Sequence, residues 1–217
     1  ATPLGGATGL GAHESQSRLW ENAVGRSRGF WRWLLPHWSR FFPDAKPPEL
    51  ESLWPALHTC RPSLIRVEAD EATYNLHVIA RFELEQRLFA GRLEVRDLPE
   101  AWNAQYGELL GIRPANDAEG VLQDIHWAMG LYGYFPTYTL GNLMAAQLFE
   151  AAGQELGDLE SQFAAGEFTP LLGWLRNAVH RHGKALDADA ILRQATGRSL
   201  DPAPYLQELG ALHSVNS

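Results

Sequence analysis

Four short stretches of this sequence combine residue types that can do chemistry. The first is His13-Glu14-Ser15-Gln16, which comes after the flexible Gly9-Leu10-Gly11. A carboxylate and an imidazole at a helix start can ligate a metal ion. The same carboxylate can serve only the helix dipole, which favours negative charge in the first turn. The second stretch is Ile65-Arg66-Val67-Glu68-Ala69-Asp70. An arginine inside an apolar run must reach solvent or meet a carboxylate. Asp70, four residues on, is the local candidate. A ligand carboxylate is the other, because the guanidinium fork can engage both of its oxygens.

The third stretch is Gly120-Val121-Leu122-Gln123-Asp124-Ile125-His126-Trp127. On a helix Gln123, His126 and Trp127 share one side. His126 there can donate to an anionic intermediate, or it can be a satisfied core histidine. The fourth runs from Gly133 to Asn142, where glycines and Pro136 break the helix between Tyr134 and Tyr138. Tyrosine hydroxyls at such a break can reach a cleft, and packing aromatics are the alternative.

The elements that must position these residues read as helices. Apolar residues recur at helical spacing from His13 to Leu35, and Pro36 ends the run. After a proline-rich connector, a short helix is expected over 50–58. The segment 63–69, with Leu64, Ile65 and Val67, is the one strand candidate. Asp70 can cap a long helix to about Phe89, with Tyr74, Leu76, His77, Ile79, Phe82 and Leu88 inward and Glu71, Arg81 and Glu85 outward. Further helices are expected over 99–110, 119–131, 140–156, 158–165, 170–182, 187–196 and 202–212. Gly166, Gly183 and Gly197 stand in stop positions. The fold class is mainly α.

Composition excludes several functions. The chain has 217 residues, 45% of them hydrophobic, and a formal charge of −8. That is enough apolar material for a substantial core and no basis for phosphate-driven nucleic-acid binding. No apolar run is long enough to span a membrane. The single cysteine, Cys60, allows no internal disulfide and suits a reducing, cytoplasmic setting.

Taken in order, the first three stretches resemble the motifs of the carboxypeptidase Taq family, the M32 metallocarboxypeptidases. In that family a His-Glu-x-x-His zinc helix is followed by a His-Glu-Ser/Gly-Gln motif, an Ile-Arg-x-x-Ala-Asp motif and a Gly-x-x-Gln-Asp-x-His-Trp motif. The last three match His13–Gln16, Ile65–Asp70 and Gly120–Trp127. The resemblance covers nearly the whole chain, and it implies a helical, two-lobed fold with a deep groove. It makes residues 1–217 the C-terminal half of a catalytic domain.

The resemblance also implies roles. Glu14 becomes a zinc ligand, with cobalt the alternative metal, and His13 and Gln16 become the groups that orient it. Arg66 holds the terminal carboxylate of a peptide, with Asp70 fixing its side chain and Gln123 lining the same subsite. His126 and one of Tyr134 or Tyr138, Tyr138 preferred, steady the oxyanion. One departure stands out: of the eight histidines only His13 precedes a glutamate, and no His-Glu-x-x-His occurs. His180 and His182 are no substitute, since residues two apart on a helix point about 200° apart. The chain alone is therefore expected to hydrolyse nothing. It is read as part of a carboxypeptidase completed by its missing N-terminal half, as one subunit of a split enzyme, or as a non-catalytic peptide-binding module. Apolar surface normally covered predicts a homo-oligomer or another partner.

Overall fold

The computed structural model describes residues 2–213, and among them there is no β-strand. The α-helices, in order, are α1 (Leu10–Arg18), α2 (Arg28–Leu34), α3 (Trp38–Phe41), α4 (Leu50–Leu57), α5 (Tyr74–Phe89) and α6 (Leu98–Leu110). They continue with α7 (Pro136–Leu156), α8 (Leu159–Ala164), α9 (Thr169–Ala178), α10 (Ala188–Thr196) and α11 (Ala203–His213). No helix is long and apolar enough to cross a membrane. The chain divides into two compact units, one of Ala1–His58 with Leu140–Ser217 and one of Thr59–Thr139.

The first unit is organised around α7. Met144, Leu148 and Ala152 form one buried core with Leu19, Phe163, Leu171, Leu175 and Ile191. The single helix expected from His13 to Leu35 is in fact interrupted. After α1 the chain widens into a π-helical turn, Leu19–Val24, and the Gly25 amide donates to the Trp20 carbonyl at 2.9 Å. Ser27 then starts α2 anew, its hydroxyl accepting from the Phe30 amide at 3.1 Å. Pro36 does not end the run: Leu35–His37 turns tightly and leads into α3. α2 lies against α8 at Gly29, whose amide donates to Glu160 at 2.6 Å. A methyl group at Gly29 would sit 2.3 Å from the Glu160 carbonyl oxygen, so only glycine permits the approach. Asp158 and Asp187 cap α8 and α10 as the sequence predicts, and Gly166, Gly183 and Gly197 all take positive φ.

The second unit packs α5 on α6 around Ala80, Leu84, Trp102 and Tyr106. Asp70 does not cap α5 itself, whose N-cap is Thr73 without a side-chain bond; its Oδ1 accepts from the amides of Ala72 and Thr73 at 3.0 and 2.9 Å and closes the turn that leads into the helix. The inward face of α5 departs from the expectation. Arg81 is 0% exposed and Glu85 and Glu71 are buried, whereas Ile79 and Phe82 are 37% and 40% exposed. The buried set on α5 keeps helical spacing through Tyr74, His77, Val78, Arg81, Leu84 and Glu85. Tyr74 and His77 are buried as expected and Leu76 and Leu88 pack against the core, but the face is turned toward Arg81 and Glu85, whose charges find partners outside α5.

Two further expectations fail for a related reason. The strand candidate near Leu64–Val67 is a 3₁₀ turn, Arg66–Glu68, between extended residues. A strand needs a neighbour for its backbone groups. Here the Gln123 side chain takes that place, accepting from the Arg66 amide at 2.9 Å and donating to the Leu64 carbonyl at 3.0 Å. The helix expected over 119–131 is a series of turns. The Gln123 side chain also donates to the Glu119 carbonyl at 2.8 Å, the acceptor that Gln123's own amide would use in a helix. Gly130 and Gly133, both with positive φ, bend the chain on its way into α7.

Candidate functional site

In the first unit Glu14 sits mid-way along α1, half-buried, and its carboxylate makes no hydrogen bond to any described residue. Its stem is tightly backed. A methyl group placed on Gly141 of α7 would lie 2.8 Å from both Cβ and Cγ of Glu14. One turn along α1, Arg18 Nε donates to Asn142 Oδ1 at 2.7 Å and ties the two helices at the next residue. Gly141 reads in sequence as part of a helix break; in the structure it is buried inside α7, and its lack of a side chain lets α1 approach. A glycine beside a buried asparagine within an apolar helix is the signal that could have found it.

His13 and Gln16, expected to orient Glu14, turn elsewhere. His13 is exposed, and the Gln16 amide donates to Ser15 Oγ at 3.1 Å and meets His180 Nε2 through its oxygen at 2.8 Å. Both line a cavity of about 490 Å³ with Trp20, Val179, His180 and Ile191. On α1, Gln16 is about 200° round from Glu14, which explains the separation. A carboxylate with unoccupied lone pairs fits one position in a metal's coordination sphere. Among the described residues no group of three or more His, Cys, Asp or Glu could hold an ion. The described residues supply one candidate ligand and not a sphere.

In the second unit Arg66, 4% exposed, pairs with Asp124 and not with Asp70. Its Nη2 lies 2.7 Å from Asp124 Oδ1, its Nε 3.2 and 3.3 Å from the two oxygens, and its Nη1 donates to the Tyr74 hydroxyl at 2.9 Å. Asp70 is committed to the turn before α5, to the Arg61 amide at 3.0 Å and to Cys60 Sγ at 3.2 Å. The 3₁₀ turn Arg66–Glu68 separates the two residues and local amides already occupy both Asp70 oxygens, so the partner of Arg66 comes from elsewhere. Arg81 completes the group: Nε donates to Asp124 Oδ2 at 2.7 Å, Nη2 to Gln123 at 2.8 Å, and Nη1 to the His77 carbonyl and the Tyr106 hydroxyl. Burial pushes the Asp124 carboxyl up, but the hydrogen bonds from Arg66 and the charges of Arg81 and Arg66 outweigh it and hold it below the usual range. Sequence reading leaves Arg81 on the outer face and does not single out Tyr106.

His126 Nε2 stands 3.0 Å from the Tyr138 hydroxyl, while Tyr134 touches the imidazole only through its ring, with centroids 5.1 Å apart. His126 Nδ1 lies 3.8 Å from Asp124 Oδ1, beyond hydrogen-bond reach, and is buried without a partner. Burial lowers the His126 pKa; Asp124 opposes that, and the Arg66 and Arg81 charges add to it. The imidazole is therefore neutral near pH 7, able to donate at one nitrogen and accept at the other. Glu85, buried on α5, accepts from the Gly133 amide at 2.6 Å and anchors the turn that leads to Tyr134.

The family model of the carboxypeptidase Taq (M32) metallopeptidases matches residues 1–212. Thermostable carboxypeptidase 1 of Thermus thermophilus is 51% identical over 208 residues, a stretch that covers 96% of this chain and 41% of the relative. Thermostable carboxypeptidase 1 of Pyrococcus furiosus is 43% identical, over 95% of this chain and 41% of its own. The crystal structure of an M32 carboxypeptidase from Deinococcus radiodurans R1 superposes with a TM-score of 0.92 at 47% identity, over 98% of this chain and 44% of that one. The chain thus spans about two-fifths of the length of the curated relatives it matches. With its motifs, its helical fold and these matches in agreement, the chain belongs to the carboxypeptidase Taq (M32) family of metallopeptidases.

Proposed function

We propose that this chain carries part of the machinery of a zinc metallocarboxypeptidase that removes C-terminal residues from peptides. Glu14 is the metal ligand it contributes. The observation that carries the reading is the Glu14 carboxylate itself: on the His-Glu-Ser-Gln stretch of an M32 chain, held at its stem by Gly141 and without a protein partner at its oxygens. A metal ion held by such a carboxylate and two imidazoles acts as a Lewis acid on a peptide carbonyl. His126 and Tyr138 are the donors proposed for the negative charge that builds on that carbonyl oxygen, since a preorganised hydroxyl needs no rearrangement as charge develops. Arg66 has Nε and Nη2 on Asp124 and Nη1 on Tyr74, so it acts on a substrate's terminal carboxylate through its field and not through a free fork. Gln123 and Asp70 hold the Arg66 turn and the start of α5. The single cysteine is in keeping with a cytoplasmic setting.

The remaining ligands come, on this proposal, from polypeptide corresponding to the part of the relatives that the chain does not match. Val67, Leu122, Ile125 and Met129 of the second unit are largely exposed, as expected of apolar surface that such polypeptide, or a second copy, covers. The test is complementation. Purified chain with zinc should not turn over a blocked dipeptide with a free C-terminus. Adding a separately made N-terminal part of the Thermus relative should give chelator-sensitive turnover that Glu14→Gln lowers by at least about a thousandfold. Turnover unaffected by Glu14→Gln would refute the assignment. So would zinc-dependent turnover by the chain alone.

A further inference from the structure

The second unit buries two guanidiniums that meet at a single carboxylate. Arg66 and Arg81 share one carboxylate, Asp124, and their other donors go to neutral groups: the Tyr74 and Tyr106 hydroxyls, the His77 carbonyl and Gln123. Their flat faces lie against rings, Arg66 at 4.7 Å from the Tyr138 centroid and Arg81 at 4.6 Å from that of Trp102. The cluster therefore holds one net positive charge with almost no access to solvent. Replacing buried ion pairs by apolar residues of the same volume is often neutral or stabilising, so stability alone does not account for this cluster.

Its geometry points to another use. Both oxygens of Asp124 are occupied, Oδ1 by Arg66 Nη2 at 2.7 Å and Oδ2 by Arg81 Nε at 2.7 Å. His126, two residues on, brings Nδ1 to within 3.8 Å of Oδ1 but finds no hydrogen-bond partner there. An aspartate this near an imidazole would ordinarily rotate to pair with it and favour the imidazolium. Arg66 reaches Oδ2 only through Nε at 3.3 Å, a donor it shares with Oδ1, so the short contact that fixes Oδ2 is the one from Arg81 at 2.7 Å. We propose that Arg81 is a positioning residue that, with Arg66, keeps Asp124 from pairing with His126, so that the imidazole stays neutral and commits Nε2 to the Tyr138 hydroxyl. An imidazolium paired with Asp124 could not accept a proton, whereas the neutral ring can give and take one through Tyr138. The catalytic meaning of this arrangement rests on the roles proposed above for His126 and Tyr138; the arrangement itself does not.

The groups that face the imidazole are Asp124 on its own turn, Arg66, Arg81 from α5, and the Tyr134 and Tyr138 hydroxyl-bearing rings. The test tracks the ring ¹⁵N and ¹H signals of His126 in the 217-residue chain, without metal or substrate, as pH is varied. Arg81→Gln should raise the proton affinity of His126 at least about tenfold, one pH unit in its midpoint. Arg81→Gln with Asp124→Asn should reverse that rise. Arg81→Lys keeps the charge and one of the two nitrogens facing Oδ2 and Gln123, and it should raise the affinity by about threefold. If Arg81→Gln does not fold, Arg81→Lys decides. A His126 midpoint unchanged in the folded variant would overturn the proposal, as would a rise that Asp124→Asn does not reverse. These readings need no peptidase activity, so the complementation assay and this experiment can fail independently.

Discussion

Glu14 and Asp124 are both partly buried carboxylates in a single chain, and the structure holds them in opposite ways. Glu14 rides a regular helix, is backed at its stem by the close approach of Gly141, and accepts no hydrogen bond at its oxygens from any described residue. Asp124 lies in an irregular turn, and two guanidiniums engage both of its oxygens. The difference separates the proposed ligand from a brace. A carboxylate meant to coordinate must be oriented without being satisfied, because each hydrogen bond it accepts competes with the ion. A carboxylate meant to hold a scaffold must be saturated, because an unpaired buried charge costs several kcal/mol.

This contrast can be broken by experiment. The largest effect belongs to Asp124→Ala, which leaves two buried guanidiniums without a counter-charge and should cost about 3–5 kcal/mol in urea unfolding. A cost below about 1 kcal/mol would mean that the cluster is not a brace. The next effect is a pH dependence. Burial, with the charges of Arg81 and Arg66, lowers the pKa of His77 from 6.5 to about 4. Between those values the unfolded chain binds the extra proton, so the stability contributed by neutral His77 is intact above pH 6.5 and declines as pH falls toward about 4. His77→Gln should flatten that part of the urea-midpoint profile; an unchanged slope would assign the acid sensitivity elsewhere.

The smallest effects sharpen the other side. Gly141→Ala forces a methyl group against the Glu14 stem and should cost about 1–3 kcal/mol. Glu14→Gln, which removes no hydrogen bond, should stay within about 0.5 kcal/mol of the original. If the stem is what Gly141 accommodates, combining Gly141→Ala with Glu14→Gly should cost less than the sum of the single changes by at least about 0.5 kcal/mol. Simple additivity would mean that Gly141 answers to some other neighbour.

How much can be read in advance differs between the same two regions. The helices of the first unit follow local rules, and Asp158, Asp187, Gly166 and Gly197 act where capping chemistry assigns them. The His13–Gln16 motif is legible because it lies within four consecutive residues of one helix. The second unit resists. Local reading matches Arg66 with Asp70, four residues on, while its partner lies 58 residues away. It turns Arg81 outward because charge is ordinarily solvent-facing, and it reads the turns at 119–131 as helix because their apolar spacing suits one. For the two arginines a side-chain amide or carboxylate from a distant segment replaces a local or solvent partner, and at 119–131 the Gln123 side chain, drawn toward Leu64 and Arg66, takes the carbonyl a helix would use. Window-based reading has no access to that exchange.

Composition and spacing thus carried the mainly helical class, several caps and the identity of three ordered motifs. All of these depend on interactions within one or two helical turns. Which charges are buried, which of two tyrosines reaches His126, and which glycine backs Glu14 were settled by packing. Those outcomes depend on desolvation and hydrogen bonding between residues tens of positions apart, whose energies exist only once the chain has folded.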